Sequence, residues 1–516
     1  MRGQVESLAR WMRPQSPADY TLAALVLAGV CLRAFAALAW WPTMPTFADS
    51  WPYAYYAAHG VFGDPQHPAG YSLFLWTIGL VTRQVAVTTI LQHFIGIGTA
   101  LVLFTAVRRL VGSPWPALLP AAIVLLNADQ VYQEQLVASE PLSAALLASA
   151  AYATVRAIDS VPNARRWAAG AGALAAAATI VRTEVIFLAP VLAFALLIGH
   201  KPRRRRWTAS AVLVCVWGVL LIGYGAVKDI ATGRFEVGPS TGWQLYGRAA
   251  TFADCHLFTP PRGTAGLCES TPPVNRFGHD HYMYDPSSPA VRLFGHIGND
   301  DGKLQAWAID AIEAEPSVYL SSVYHNLRDY FIPSLFVYVP GAGSGLDGEL
   351  DWGSIPDPTT TRNVTVGMES FFDRFNAHRH PRRVRALRDY QRIFRFGATM
   401  LTLTALLALL GLGIGSRNAR VGVIIFGLGG IVTLFPEALV GAYLGRYTVP
   451  LAGPMAAAAG ISLWSVAQME RIRREHGPPG PGPAAAPAKA LTSPGDDQTA
   501  APDRRPPTSQ TPTSAG

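Results

Sequence analysis

Apolar residues along this chain are clumped into blocks of roughly 20, the length a helix needs to cross a bilayer core of about 30 Å. Such blocks fall at residues 20–41, 86–107, 114–128, 139–156, 166–181, 184–199, 207–227, 396–414, 420–438 and 446–467. The pattern predicts an all-α polytopic membrane protein with about ten transmembrane helices. Between residues 228 and 395 the blocks stop and a polar stretch takes over. It is long enough for a small domain and is expected to hold mixed secondary structure. From residue 477 onward the chain is rich in Pro, Ala, Ser and Thr, a composition that cannot form a core. The expected division is a membrane region at 1–227, the polar segment at 228–395, further spans at 396–470 and a disordered tail at 471–516.

Composition agrees. Half of the 516 residues are hydrophobic and 15% are charged, against about 25% in soluble domains. The net charge of +8 lies mostly in arginine clusters between apolar blocks, so it does not point to nucleic acid. Only four lysines occur, which suggests a high-GC genome and weakens any argument from Arg over Lys at one position. The stretch Tyr20 to Trp41 is too long for a signal-peptide core, and "WWPTMPTF" is no small-residue cleavage site. It is expected to stay as a helix.

The basic clusters set the expected orientation. Arg108–Arg109, Arg165–Arg166, the run Lys201 to Arg206, Arg417 with Arg420, and Arg471 to Arg474 fall in phase on one side, with Arg2, Arg10 and Arg13. By the positive-inside rule that side is cytoplasmic. The opposite side receives the polar segment 228–395 and the loops that look chemical. Cys255 and Cys268 both lie in that segment, where an oxidising compartment permits a disulfide. Cys31 and Cys215 lie inside spans. "GHDHYMYD" (Gly278 to Asp285) is rich in His and Asp but lacks the full ligand set of a metal site.

Four loops carry candidate chemistry. "FADSWPYAYYAAHG" places Asp49, Tyr53 and Ala57 at four-residue steps, on one face of a helix. Asp49 reads either as the N-cap of that helix or as a chemical group. "PQHPAGYSLFLW" carries a turn with His67, Pro68, Gly70 and Tyr71. "VASEPLSAALL" starts a span with Glu140, and "YLGRYTVP" starts the last one with Arg446 and Tyr447. In this order the motifs resemble the GT-C glycosyltransferases, in the bacterial branch related to protein O-mannosyltransferases and lipid A aminoarabinose transferases. Ala69 stands where that family has a second proline. Arg33 matches an arginine common near the outer end of the first span. The resemblance covers roughly 20–227 and 396–467 and leaves 228–395 unmatched.

The resemblance implies a plasma-membrane enzyme whose active site faces the extracytoplasmic side. It implies transfer of a sugar, with inversion, from a polyprenyl-phosphate donor to a lipid, glycan or protein acceptor. Asp49 is then the base, or a metal ligand that positions the acceptor; the cofactor is unknown, with a divalent metal as the candidate. Glu140 is a second carboxylate toward the acceptor, a partner of Arg33, or a helix-start residue favoured by the dipole. Arg182 and Arg446 suit phosphate, because guanidinium pairs with it bidentately; otherwise they snorkel at helix ends. Tyr53, His67, Tyr71 and Tyr447 join them as substrate-binding candidates. The rival reading is a transporter or flippase of a lipid-linked sugar. Such folds favour internal repeats and mid-bilayer sites, and no repeat is visible between the two halves.

Overall fold

The computed structural model describes residues 16–160, 162–199, 203–332, 350–352, 358–441 and 443–475. The tail from residue 476, the N-terminal arginines, and Lys201 with Pro202 lie outside them. The described residues up to Met469 form one compact unit. The short described remainder ends the helix Val449–Glu475 with exposed Arg471–Glu475 and Arg474–Glu470 pairs.

Among the described residues, six helices are long and apolar enough to cross a membrane: Pro17–Ala39, Val85–Val111, Glu140–Asp159, Arg204–Thr232, Arg417–Val440 and Gly445–Glu475. Two further apolar helices, Thr183–Gly199 and Ala398–Ile414, are shorter. Against the ten apolar blocks, six of the described helices thus reach the length of a span, for local reasons. The block 114–128 becomes the nine-residue helix Leu118–Leu126, about 14 Å long at 1.5 Å per residue. It stops because Asn127 turns extended and caps the next helix, Ala128–Gln135, by accepting a bond from the Asp129 N–H. The helix Ala164–Val181 is built on alanine and starts with Arg165 and Arg166.

Local chemistry explains the spans that do form. Pro17–Ala39 opens on a reciprocal capping box between Ser16 and Asp19, with Pro17 at its first position. Val85–Val111 closes on Gly112, whose φ of 75° is the left-handed cap. The bundle core is mostly Ala, Leu and Val, and small residues let helices approach closely. Gly172 is one such point: a Cβ there would stand 2.3 Å from the carbonyl oxygen of Leu213.

Basic residues gather at one end of this bundle. Arg108 pairs with Asp19 at 3.3 Å, and Arg109 pairs with Asp159. Arg205 donates to the Ser160 carbonyl at 2.8 Å, and Arg417 to that of Ile198 at 2.6 Å. The other ends of these helices meet the polar segment.

The polar segment, expected to be mixed, is mainly helical where it is described. Among its described residues it is helices, turns and one two-residue strand, His378–Arg379, paired antiparallel with Trp40–Trp41. Its first half wraps short helices around Trp243, Tyr246, Tyr282 and Trp307. Beside that core Cys255 and Cys268 form the expected disulfide. Its second half packs back on the loops between spans. Trp352, Val384 and Leu387 meet Trp40, Met44 and Tyr132. Met368, Phe371 and Phe372 meet Tyr53, Tyr71 and Leu75.

Candidate active site

A cavity of about 1290 Å³ opens where the helix ends meet the polar segment. One wall carries Asp49, Tyr53, His67, Arg182, Glu184, Arg446 and Tyr447. Segment 228–395 supplies the facing residues, among them Gln244, Arg248, His279 and Tyr284. Most of the site residues expected from sequence thus meet in one place, although Asp49 and Arg446 are 397 positions apart.

Asp49 stands at the N-cap position of the helix Ser50–His59, yet its carboxylate makes no capping bond. The side chain turns into the cavity instead. Its Oδ2 accepts from Arg446 Nη1 at 2.8 Å and lies 3.7 Å from His67 Nε2. Burial alone would raise its pKa, but Arg446 and His67 outweigh burial and hold the carboxyl well below the usual carboxylate range.

His67 is positioned by its own loop. Asp64 Oδ1 accepts the backbone N–H groups of Gln66 and His67, at 2.8 and 3.1 Å, which folds the turn. Asp64 Oδ2 then meets His67 Nδ1 at 3.0 Å. The imidazole sits between two carboxylates. Burial opposes its charge, but Asp64 and Asp49 prevail and push its pKa up to about 10. A group whose pKa rises on folding stabilises the fold fully below its unfolded value of 6.5 and loses that contribution as pH rises to about 10. The melting temperature of the wild type should exceed that of His67→Gln most at pH 6, with the gap closing by pH 10. A gap constant across that window would show His67 to be uncharged.

The turn after His67 is tied down as well. The Ala69 N–H donates to the Tyr224 hydroxyl at 3.0 Å. Gly70 lies against the end of the helix Ala164–Val181, where a Cβ would come within 2.5 Å of the Ile180 carbonyl oxygen. That close approach requires glycine, and it couples the His67 loop to the segment bearing Arg182.

Arg182 is the second hub. Its Nη1 donates to Glu140 Oε1 at 2.8 Å and to Ser139 Oγ at 2.9 Å, and its Nη2 donates to Glu184 Oε1 at 2.6 Å. Ser139 Oγ lies 3.1 Å from the Tyr53 hydroxyl. The Tyr447 ring lies under both guanidinium groups, 5.1 Å from Arg182 and 5.5 Å from Arg446. Phe47 covers Arg446 at 4.7 Å.

Two expected residues do not line the cavity. Glu140 is fully buried behind Arg182, with Arg446 Nε 3.8 Å away. Tyr71 is fully buried and donates to Gln92 Oε1. Its ring packs edge-on against Tyr53 at 4.7 Å. Arg33 meets neither Asp49 nor Glu140: it pairs with buried Glu134 at 2.7 Å and donates to the Leu125 carbonyl at 2.9 Å. His93 Nδ1 joins that network at the same Glu134 oxygen, Oε2, at 3.0 Å.

Sequence reasoning gave no role to Asp64, Glu184, Glu437 or Arg248. Asp64, three residues before His67, carried the signal of an Asx turn. Glu184 and Glu437 lie at the edges of the apolar blocks 184–199 and 420–438. Among the described residues, no group of three or more His, Cys, Asp or Glu is placed to hold a metal ion. In "GHDHYMYD", His279 Nδ1 meets Asp280 at 3.0 Å while His281 stacks on Phe277 at 4.0 Å, so the side chains do not converge.

No protein-family profile and no curated protein matches this chain. Among solved structures, it is similar to the oligosaccharyltransferase of Archaeoglobus fulgidus in its apo form, at 13% identity and a TM-score of 0.43, over 89% of this chain and 52% of that one. The archaeal oligosaccharyltransferase AglB of the same organism, in complex with an inhibitory peptide and a dolichol-phosphate, matches at 11% identity and a TM-score of 0.41, over 90% and 53%. The chain thus spans about half the length of these proteins.

Proposed function

We propose that this chain is a membrane glycosyltransferase that moves a sugar from a polyprenyl-phosphate donor to a hydroxyl acceptor, with inversion. The observation that carries the reading is the Asp49–Arg446 pair on the wall of a cavity at the ends of the apolar helices. A base and a phosphate-binding cation are the two groups such a transfer needs. In the step itself, the acceptor oxygen bonds to the anomeric carbon as its proton passes to Asp49. The bond from that carbon to the phosphate oxygen breaks, and polyprenyl phosphate leaves with the electron pair.

Paired as it is, Asp49 holds protons weakly. A donor phosphate would draw Arg446 away from it, and with that partner gone the Asp49 pKa climbs toward that of a useful base. Donor binding would therefore switch on the base. Glu140 acts in this scheme by holding Arg182 in place, and Tyr53 by bracing both His67 and Ser139.

The site is proposed to face the extracytoplasmic side of the plasma membrane. The Cys255–Cys268 disulfide supports this, since such bonds persist in oxidising compartments. The basic cluster at the far end supports it too. Cysteine-accessibility mapping in intact cells should label a Cys introduced at position 270 and leave one at position 204 unlabelled. Labelling of position 204 from outside overturns the orientation.

The activity test is direct. Purified protein is incubated with radiolabelled polyprenyl-phosphate sugars, and release of polyprenyl phosphate is scored. One donor should be consumed, and consumption should fail in Asp49→Asn. Consumption of none of them across pentose and hexose donors would sink the reading.

A further inference from the structure

The cations of the cavity are not equivalent. Arg446 faces Asp49, Arg182 faces Glu140 and Glu184, and His67 faces Asp49 and Asp64. Each already has an acid within ion-pair distance. Arg248 has none among the described residues. It is 8% exposed, and it lines the same cavity.

Its placement follows from the helix that carries it. In Thr241–Ala250, Trp243, Tyr246 and Ala250 sit in the aromatic core of the polar segment. Arg248 points away from that core toward the stretch Leu434–Gly441. Its Nη2 donates to the Gly441 carbonyl oxygen, and its buried Nε has no hydrogen-bond partner. Asn326 Nδ2 donates to that same oxygen at 3.2 Å. One carbonyl thus serves two donors, and a guanidinium with five N–H groups is left largely unmatched.

The neighbouring charges do not complete it. Burial lowers the Arg248 pKa; Tyr319 and Glu437 oppose that from a distance and do not reverse it. Glu437 is engaged with Glu184. A buried cation without an acid partner is costly, and one on a cavity wall is relieved when an anion enters the cavity. Guanidinium offers a planar fork that matches the oxygens of phosphate.

We propose that Arg248 is a phosphate-binding residue of the cavity, seating the phosphate group of its ligand. This rests on the glycosyltransferase reading only for the occupant, which is then the phosphate of the polyprenyl donor. The site itself comes from the polar segment, which the sequence resemblance did not cover. The arrangement gives the segment a share in donor binding as well as in closing the cavity.

The test reads binding without turnover, on the full-length protein in detergent micelles. Wild type, Arg248→Gln and Arg248→Lys are titrated with a short-chain polyprenyl phosphate, the matching polyprenol, and inorganic phosphate, by tryptophan fluorescence. Glutamine keeps a donor for the Gly441 carbonyl, which favours folding. Wild type should bind the lipid phosphate at least tenfold tighter than the alcohol. Arg248→Gln should lose that preference, and Arg248→Lys should recover part of it. Competition by millimolar inorganic phosphate means that a bare phosphate suffices, whereas its failure to compete means that the lipid headgroup is required; both support the site. An Arg248→Gln protein of wild-type melting temperature that keeps the full preference overturns it. If Arg248→Gln does not fold, wild type decides: no rise in its melting temperature with lipid phosphate, against the alcohol, overturns the proposal. Transfer activity in a variant that lacks the phosphate preference, or the preference without any transfer, separates failure of this site from failure of the glycosyltransferase reading.

Discussion

Replacing Asp49 with asparagine is expected to cut sugar transfer by about 10²–10⁴, the usual contribution of a general base. The fold should survive. Asn fills the same space, still accepts a bond from Arg446, and caps a helix as well as Asp does. The Asp49 carboxylate makes no capping bond in any case, so no helix stability is at stake. The asparagine amide cannot take a proton. Removing the acid also frees Arg446, so binding of a lipid phosphate should hold or tighten while turnover collapses. A lowered kcat with an unraised KM is the signature. A well-folded Asp49→Asn protein that transfers sugar at near wild-type rate would strip Asp49 of its role as base.

Arg182→Met should unfold far more easily than the wild type. Glu140 is fully buried and Glu184 nearly so, and both depend on Arg182. Removing one partner of a buried pair leaves an uncompensated charge, at about 3–5 kcal/mol. Arg446 lies 3.8 Å from Glu140 and offsets part of this. Arg182→Lys should fall between, because an ammonium does not fork to Ser139, Glu140 and Glu184 together. Adding Glu140→Gln to Arg182→Met should restore part of the loss, since the orphaned charge is then gone. Melting temperatures in one detergent decide it. An Arg182→Met protein that melts with the wild type would mean the cluster is not ionised as drawn.

Local motifs made much of the site readable in advance. The four-residue spacing behind Asp49 placed Tyr53 and Ala57 on one buried helix face, and the turn at His67 was visible in its own residues. What sequence did not show depended on tertiary contact. Arg33 was plain as a charge in a span, but its partner Glu134 is 101 residues away and looked no different from its polar neighbours. Arg248 sits in an amphipathic helix whose buried side could be chosen only once Leu434–Gly441 was seen against it. Six described helices, against ten apolar blocks, reach the length of a span for a similar reason. Hydropathy over 114–128 sees one apolar run, whereas Asn127 ends the helix by bonding to the Asp129 backbone. A hydropathy average does not register a single cap.

The coupling of Asp49 to Arg446 and of Glu140 to Arg182 also has a genealogical consequence. In each pair, losing one member alone strands a charge, on the cavity wall for Asp49–Arg446 and behind it for Glu140–Arg182, while losing both removes the conflict. A lineage that drifts away from the activity should therefore not shed these residues one at a time. Among related chains, positions 49 and 446 should change together, and so should 140 and 182. A chain that retains Arg446 but carries a neutral residue at position 49 should be scarce. Where both have gone, the same scaffold has been released to another task.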